Sequence, residues 1–175
     1  MSPRRNIGVA VAVPAPYANE LQDWRERLGD PQALKIPPHI TLLPPTAVGA
    51  QRLPEVEEHL RAVAAQERPF ELVLRGSATF RPLSPVTFIP LAAGISECER
   101  LEARVRTGPL ARRVKFHYHP HVTVAQGVDD VLLDKAFEQL AGYEARFLAT
   151  GFTLFEEGAD QAWRPITDFP FGSDA

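Results

Sequence analysis

Two short segments hold residues suited to acid–base chemistry. Residues 38–42 read PHITL and residues 120–124 read PHVTV. Each sets a histidine and a threonine two positions apart, with aliphatic residues interleaved. Side chains alternate faces along a strand. His39 and Thr41 therefore share one face, while Ile40 and Leu42 share the other. His121 and Thr123 stand in the same way against Val122 and Val124. Each segment can anchor itself in a core through its aliphatic side and present an imidazole and a hydroxyl on the opposite side. If two similar lobes bring these faces across one cleft, two imidazoles and two hydroxyls converge.

That set suits phosphodiester chemistry. A neutral imidazole can take a proton from an attacking water or hydroxyl, and a protonated one can give a proton to the leaving oxygen. An unperturbed histidine titrates at about pKa 6.5, so both forms are within reach near neutrality. Threonine hydroxyls can donate to the non-bridging phosphate oxygens as charge builds there. The scheme requires no metal and no other cofactor. It leaves open which histidine is the base and which the acid.

The rest of the chain reads as the frame for these segments. Residues 7–13 form an apolar, valine-rich run closed by Pro14 and Pro16. Behind Met-Ser-Pro-Arg-Arg this superficially resembles a secretion signal, but its length fits a buried strand better. Tyr17, Leu21, Trp24 and Leu28 fall at helical spacing, with Gly29 and Pro31 as a stop. Residues 36–43 are extended. Pro54 suits the first turn of a second helix with Val56, Leu60 and Val63 on one side. Residues 70–75 and 86–91 read as strands, the latter an edge or a strand end because of Pro90. Ile95, Cys98, Leu101 and Val105 suit a third helix with an apolar stripe. Residues 114–124 are extended. Asp129 or Asp130 can cap a fourth helix carrying Leu132, Ala136 and Leu140, ended by Gly142. Residues 147–155 and 163–166 close the chain as strands. His39 and His121 lie 82 residues apart, about half of the 175-residue chain. The expectation is one α+β domain over residues 1–175, built from two similar halves near 1–90 and 91–175, with antiparallel sheets and flanking helices.

Composition narrows the function classes. The chain is 45% hydrophobic and 23% charged, as soluble globular domains are. No apolar stretch reaches membrane-spanning length. The single cysteine, Cys98, has no internal disulfide partner and falls on the third helix's apolar stripe. A cytoplasmic monomer is expected. A net charge of −3 argues against a broad basic surface for duplex DNA, yet leaves room for one phosphate-bearing ligand. Arginine outnumbers lysine 16 to 3, which suits bidentate phosphate contact and equally reflects coding bias. Arg100, Arg104, Arg106, Arg112, Arg113 and Lys115 are the most basic stretch. Interspersed glutamates favour a solvated helix face over a guide for polyanions.

At this point the sequence resembles a known family. The paired segments PHITL and PHVTV are similar to the His-x-Thr-x motifs of the 2H phosphoesterase superfamily, which includes the 2'-5' RNA ligase-like proteins and cyclic nucleotide phosphodiesterases. GSATFRPLSPVTFIPL (76–91) resembles that family's strand pair between the motifs, and FLATGFTLFEEG (147–158) its closing strand. The resemblance implies a bilobal, pseudo-two-fold fold with the active cleft between the lobes. It implies hydrolysis of 2',3'-cyclic phosphates of nucleotides or RNA ends. His39 and His121 would be the acid–base pair, and Thr41 and Thr123 would hold the phosphate. The chain departs from the family in two places. Residues 7–13 lack the Arg-x-Phe of RNA-processing members, and Gln126 stands where many members carry an arginine after the second motif. Arg81 is the expected substitute cation, and Phe80 or Tyr118 the expected base-stacking ring.

Three other readings stay beside this one. The same cleft can serve a binding module that holds a nucleotide or RNA terminus without turnover. His117, His119 and His121 alternate and form a weak metal-ligand spacing, with no carboxylate or cysteine close by in sequence. His59, among Glu55, Glu57, Glu58 and Arg61, reads as a solvated helix residue.

Overall fold

The structure is a computed structural model that describes residues 3–172. Two antiparallel sheets carry the two histidine segments, one each. In the first sheet the strand order is β2-β1-β8-β9. These are β1 (Arg4–Ala12), β2 (His39–Gly49), β8 (Gly151–Glu157) and β9 (Trp163–Pro170). The second sheet comprises β3 (Phe70–Arg75), β4 (Ala78–Thr79), β5 (Val86–Ala93), β6 (His121–Gln126) and β7 (Glu144–Ala149). Within it β5 pairs with β3, β4 and β6, and β3 pairs with β7. The helices are α1 (Tyr17–Arg27), α2 (Leu53–Ala65), α3 (Ile95–Val105) and α4 (Asp130–Gln139). The fold is α+β, as its sequence pattern suggested.

The two sheets divide the chain differently from a cut near residue 90. The first takes strands from both ends, and the second takes the middle. The turning point is Thr150. The run 147–155, which reads as one strand in sequence, breaks there into the end of β7 and the start of β8, in different sheets. Leu148 at the end of β7 is exposed while Phe152, Leu154 and Phe155 of β8 are buried, yet all are apolar, so hydropathy alone marks no boundary.

Other differences have equally local causes. Pro90 lies inside β5, which is no edge strand. It pairs with His121 at the end of the β6 ladder, and Leu91 beyond it already pairs with Leu74 of β3. A residue without an N–H is tolerated where the chain changes partners. The extended run 114–124 is regular strand only from His121 onward. His59 is half-buried rather than solvated, and its Nε2 lies 3.1 Å from the Val105 carbonyl at the end of α3.

The core holds the motif strands by their aliphatic sides. Ile40, Val122 and Val124 are fully buried and Leu42 nearly so, in one cluster that also takes in Leu21, Leu101 and Leu133 from the helices. Burial of each such side chain contributes about 1.5–3 kcal/mol. Cys98 is buried in the same cluster, and burial pushes its thiol up to about 12. Among the described residues no helix is long and apolar enough to cross a membrane.

Candidate functional site

The alternation of β2 and β6 sets the site. Ile40, Leu42, Val122 and Val124 turn inward, while His39, Thr41, His121 and Thr123 are partly open to solvent. Thr41 and His121, one from each motif, line a common cleft of about 570 Å³. A second tie joins the segments. The Tyr118 hydroxyl, ahead of β6, donates to the Thr41 main-chain carbonyl at 2.8 Å. Burial pushes the Tyr118 phenol far above its ordinary value, so it remains a donor.

Both imidazoles are held by the same device. His39 Nδ1 lies 2.7 Å from the Pro37 carbonyl, and His121 Nδ1 lies 2.6 Å from the His119 carbonyl. A carbonyl only accepts, so Nδ1 carries the proton in each ring and the Nε2 lone pair is left for chemistry. The carbonyl belongs in both cases to the residue two before the histidine, and the residue between is proline. Proline fixes its own φ and drives the preceding residue to an extended conformation. The Pro-His pair therefore aims the carbonyl before the imidazole arrives. His39 Nε2 in turn lies 3.1 Å from the Thr41 hydroxyl.

Aromatic rings seat both imidazoles, and the sequence did not reveal which. Trp163 of β9 lies against His39 with ring centroids 5.0 Å apart. Gly8 of β1 makes that possible. A Cβ there would stand 3.0 Å from the Trp163 ring and 3.2 Å from the Leu43 carbonyl. His121 meets the edges of Phe80 at 4.9 Å and Phe88 at 5.1 Å. The signal available in sequence was strand register: Thr123 pairs with Phe88, and Pro90 with His121.

These seats depress both histidines. Burial brings His39 down to about 4. The Pro37 carbonyl works in the opposite direction, and the Arg25 guanidinium and the charge of a protonated His121 add to the lowering. His121 is also lowered, first by burial and then by the charge of neighbouring His119, against the pull of the His119 carbonyl.

The four substrate-contact expectations fare differently. Phe80 lines the cleft, but one of its faces is stacked on Phe88 at 4.1 Å. Tyr118 lines the cleft with its hydroxyl committed to Thr41. Arg81 is not a free cation. Its guanidinium is 2.9 Å from Asp134 and 3.8 Å from Asp130 on α4, and its Nε bonds the Thr79 hydroxyl at 3.1 Å. Gln126 sits exposed at the far end of β6, paired with Val86, and does not line the cleft. The cations that do line it are Arg106, Arg112 and Lys115. Arg106 is braced by buried Glu102 at 2.7 and 3.3 Å. His117, His119 and His121 all reach the cleft, yet among the described residues no three side chains of His, Cys, Asp or Glu gather as a metal site.

Residues 13–161 match the profile of the 2'-5' RNA ligase superfamily. The chain belongs to this superfamily. A protein of Halalkalibacterium halodurans named "Putative phosphoesterase" is 32% identical over 123 residues, 70% of this chain and 71% of that one. A relative of the same name in Oceanobacillus iheyensis is 24% identical over 169 residues, 95% of this chain and 98% of that one. Among solved structures, Escherichia coli LigT complexed with 3'-AMP superposes with a TM-score of 0.72 at 18% identity, covering 97% of this chain and 99% of that one. LigT complexed with NADP+ gives 0.69 at 19%, with the same coverage. At these identities the LigT likeness establishes the fold. Membership of the family fits the paired motifs, of which Thr41 and His121 line the cleft while His39 and Thr123 lie outside its lining.

Proposed function

We propose that the protein is a metal-independent phosphodiesterase that opens 2',3'-cyclic phosphates of nucleotides or RNA ends. The observation that carries this reading is the shared latch: two imidazoles from two sheets, each held at Nδ1 by the carbonyl two residues earlier. A site built only to bind phosphate would be better served by arginine. Two oriented Nε2 atoms suit proton transfer.

In this mechanism His39, the more strongly depressed imidazole, is neutral and takes a proton from water through Nε2. The water oxygen bonds to phosphorus as one ring P–O bond breaks. His121, protonated, gives its proton to the departing 2' or 3' oxygen, so that a phosphomonoester leaves. Thr41 and Thr123 donate to the non-bridging oxygens. The bound anion raises both histidines relative to the empty site, which favours a charged His121. That LigT has been complexed with 3'-AMP and NADP+ supports a nucleotide-sized ligand for the cleft. The strongly apolar wall of Leu42, Leu43, Leu83, Val114 and Phe116 supports a nucleoside group beside the phosphate.

The test is a panel of substrates with purified protein in EDTA: 2',3'-cyclic nucleotides, RNA ending in a cyclic phosphate, and 2'-5' linked oligonucleotides. Products are assigned as 2'- or 3'-phosphates. Turnover lost in both His39→Ala and His121→Ala supports the reading. Binding without product by the wild type contradicts it and leaves a binding module.

A further inference from the structure

Behind His39 lies a buried ion pair that touches no part of the cleft. Arg25 of α1 and Asp30 have side chains only 3% and 0% exposed, with Nε 2.9 Å from Oδ2. Two charges removed from water this fully are an expensive way to stabilise a fold, and apolar replacements often serve as well. A positional role explains the cost. Asp30 Oδ1 accepts the Gln32 amide at 2.8 Å, and the Asp30 amide donates to the Arg25 carbonyl at 3.0 Å. Arg25 Nη1 reaches the Ile36 carbonyl at 3.5 Å. The pair thus grips both ends of segment 30–36.

That segment delivers the carbonyl that orients His39. Turn bonds within the segment and contacts to its neighbours hold it as well. Gln22 donates to the Ala33 carbonyl, the Trp163 amide to Lys35 at 2.9 Å, and the Val13 amide to Pro38 at 3.2 Å. Ile36 packs on the small cluster of Ala10, Phe155 and Trp163. Immediately after it, Pro37 presents its carbonyl to His39 Nδ1. Among the described residues no buried ion pair stands behind the latch of His121, whose neighbouring Tyr118 is tied instead to the Thr41 carbonyl. The latch carbonyl of His121 comes from the exposed, irregular stretch ahead of β6.

We propose that Arg25, through Asp30 and the Ile36 carbonyl, is a positioning residue that holds the Pro37 carbonyl against His39 and so keeps the reactive Nε2 unprotonated and turned towards the Thr41 hydroxyl at the cleft. Arg25 touches no substrate and acts through the segment. The inference deepens the reading of His39 as base and rests on it for its consequence in turnover.

The test separates the two. Imidazole nitrogen NMR reads the His39 tautomer whether or not the protein turns over any substrate. Arg25→Met combined with Asp30→Asn removes both charges and keeps a side-chain oxygen at position 30 for the Gln32 amide, so no unpaired charge remains to unfold the chain. Arg25 and His121 are the charged groups known to bear on His39, and His121 serves as the internal control. In the folded double variant the Nε2–H tautomer of His39 should appear, with the His121 spectrum unchanged. kcat on a cyclic nucleotide should fall by roughly tenfold to a hundredfold, as misplacement of about an ångström does, with KM little altered. Arg25→Lys alone, which keeps the charge, should retain most of the Nδ1–H tautomer. A folded double variant whose His39 stays wholly Nδ1–H overturns the proposal. Absence of turnover in the wild type would overturn the proposed function and leave the tautomer result standing.

Discussion

The two histidine seats share one latch and differ in everything around it. At His39 the ring lies against Trp163, the carbonyl segment is pinned by a buried ion pair, and a guanidinium stands behind. At His121 two phenylalanine edges form the seat, the carbonyl segment is exposed, and a second histidine stands alongside at 5.7 Å. The common latch fixes which nitrogen keeps its lone pair. The different surroundings fix how readily that nitrogen takes a proton. A seat that resists protonation suits a base. A less strongly depressed seat on the cleft suits an acid, because a bound anion can restore its charge.

The comparison breaks most visibly under removal of either ring. His39→Ala and His121→Ala should each lower kcat on a 2',3'-cyclic nucleotide by about 10²–10⁴-fold, with circular dichroism unchanged. A large loss in one and none in the other would dismantle the pair. Loss of a hydroxyl should do less. Thr41→Val and Thr123→Val should each cost about 10²-fold in kcat. Because Thr41 bonds His39 Nε2 at 3.1 Å, the Thr41 variant should also displace the acid limb of the pH profile, and the Thr123 variant should not.

The seats themselves can be exchanged for smaller side chains. Trp163→Leu admits water to His39, so the acid limb of kcat/KM should climb from about pH 4 towards the ordinary histidine value. Phe80→Leu should leave that limb in place and raise the alkaline one. If the two variants gave the same displacement, the seats would be equivalent and the assignment of roles would fail.

The smallest effect is on stability. His39 binds its proton more weakly in the folded state than in the unfolded one. Above the unfolded value both states are neutral and nothing changes with pH. As pH falls from about 6.5 towards 4, the unfolded chain takes up the proton first and the fold loses stability. His39→Gln should therefore flatten the fall in Tm between pH 7 and pH 4.5. His121→Gln should flatten it less.

The strands that carry the motifs were legible because their alternation is strict: Ile40 and Leu42 are buried, and His39 and Thr41 are not. Helices α1 to α4 were legible from apolar spacing. What the sequence concealed is long-range. Trp163 reaches His39 from 124 positions further along the chain only because β9 returns to the first sheet. Arg81 reads as a cation facing phosphate until α4 folds back and supplies Asp134. Gln126 lies on the right strand, but at the end away from the cleft. The latch was half visible. Proline before each histidine was plain, while the carbonyl it aims belongs to a residue whose side chain carries no signal.

The central claim is that His39 and His121 are an acid–base pair of opposite protonation that works without metal. The kcat/KM profile of the wild-type protein on a 2',3'-cyclic nucleotide, measured in EDTA from pH 3.5 to 9, tests it most directly. kcat/KM reports the free enzyme. The account predicts a bell that rises through about pH 4 as His39 loses its proton and falls on the acid side of 6.5 as His121 loses its own. A rate that only climbs with pH, or activity abolished by EDTA and restored by zinc, would contradict it.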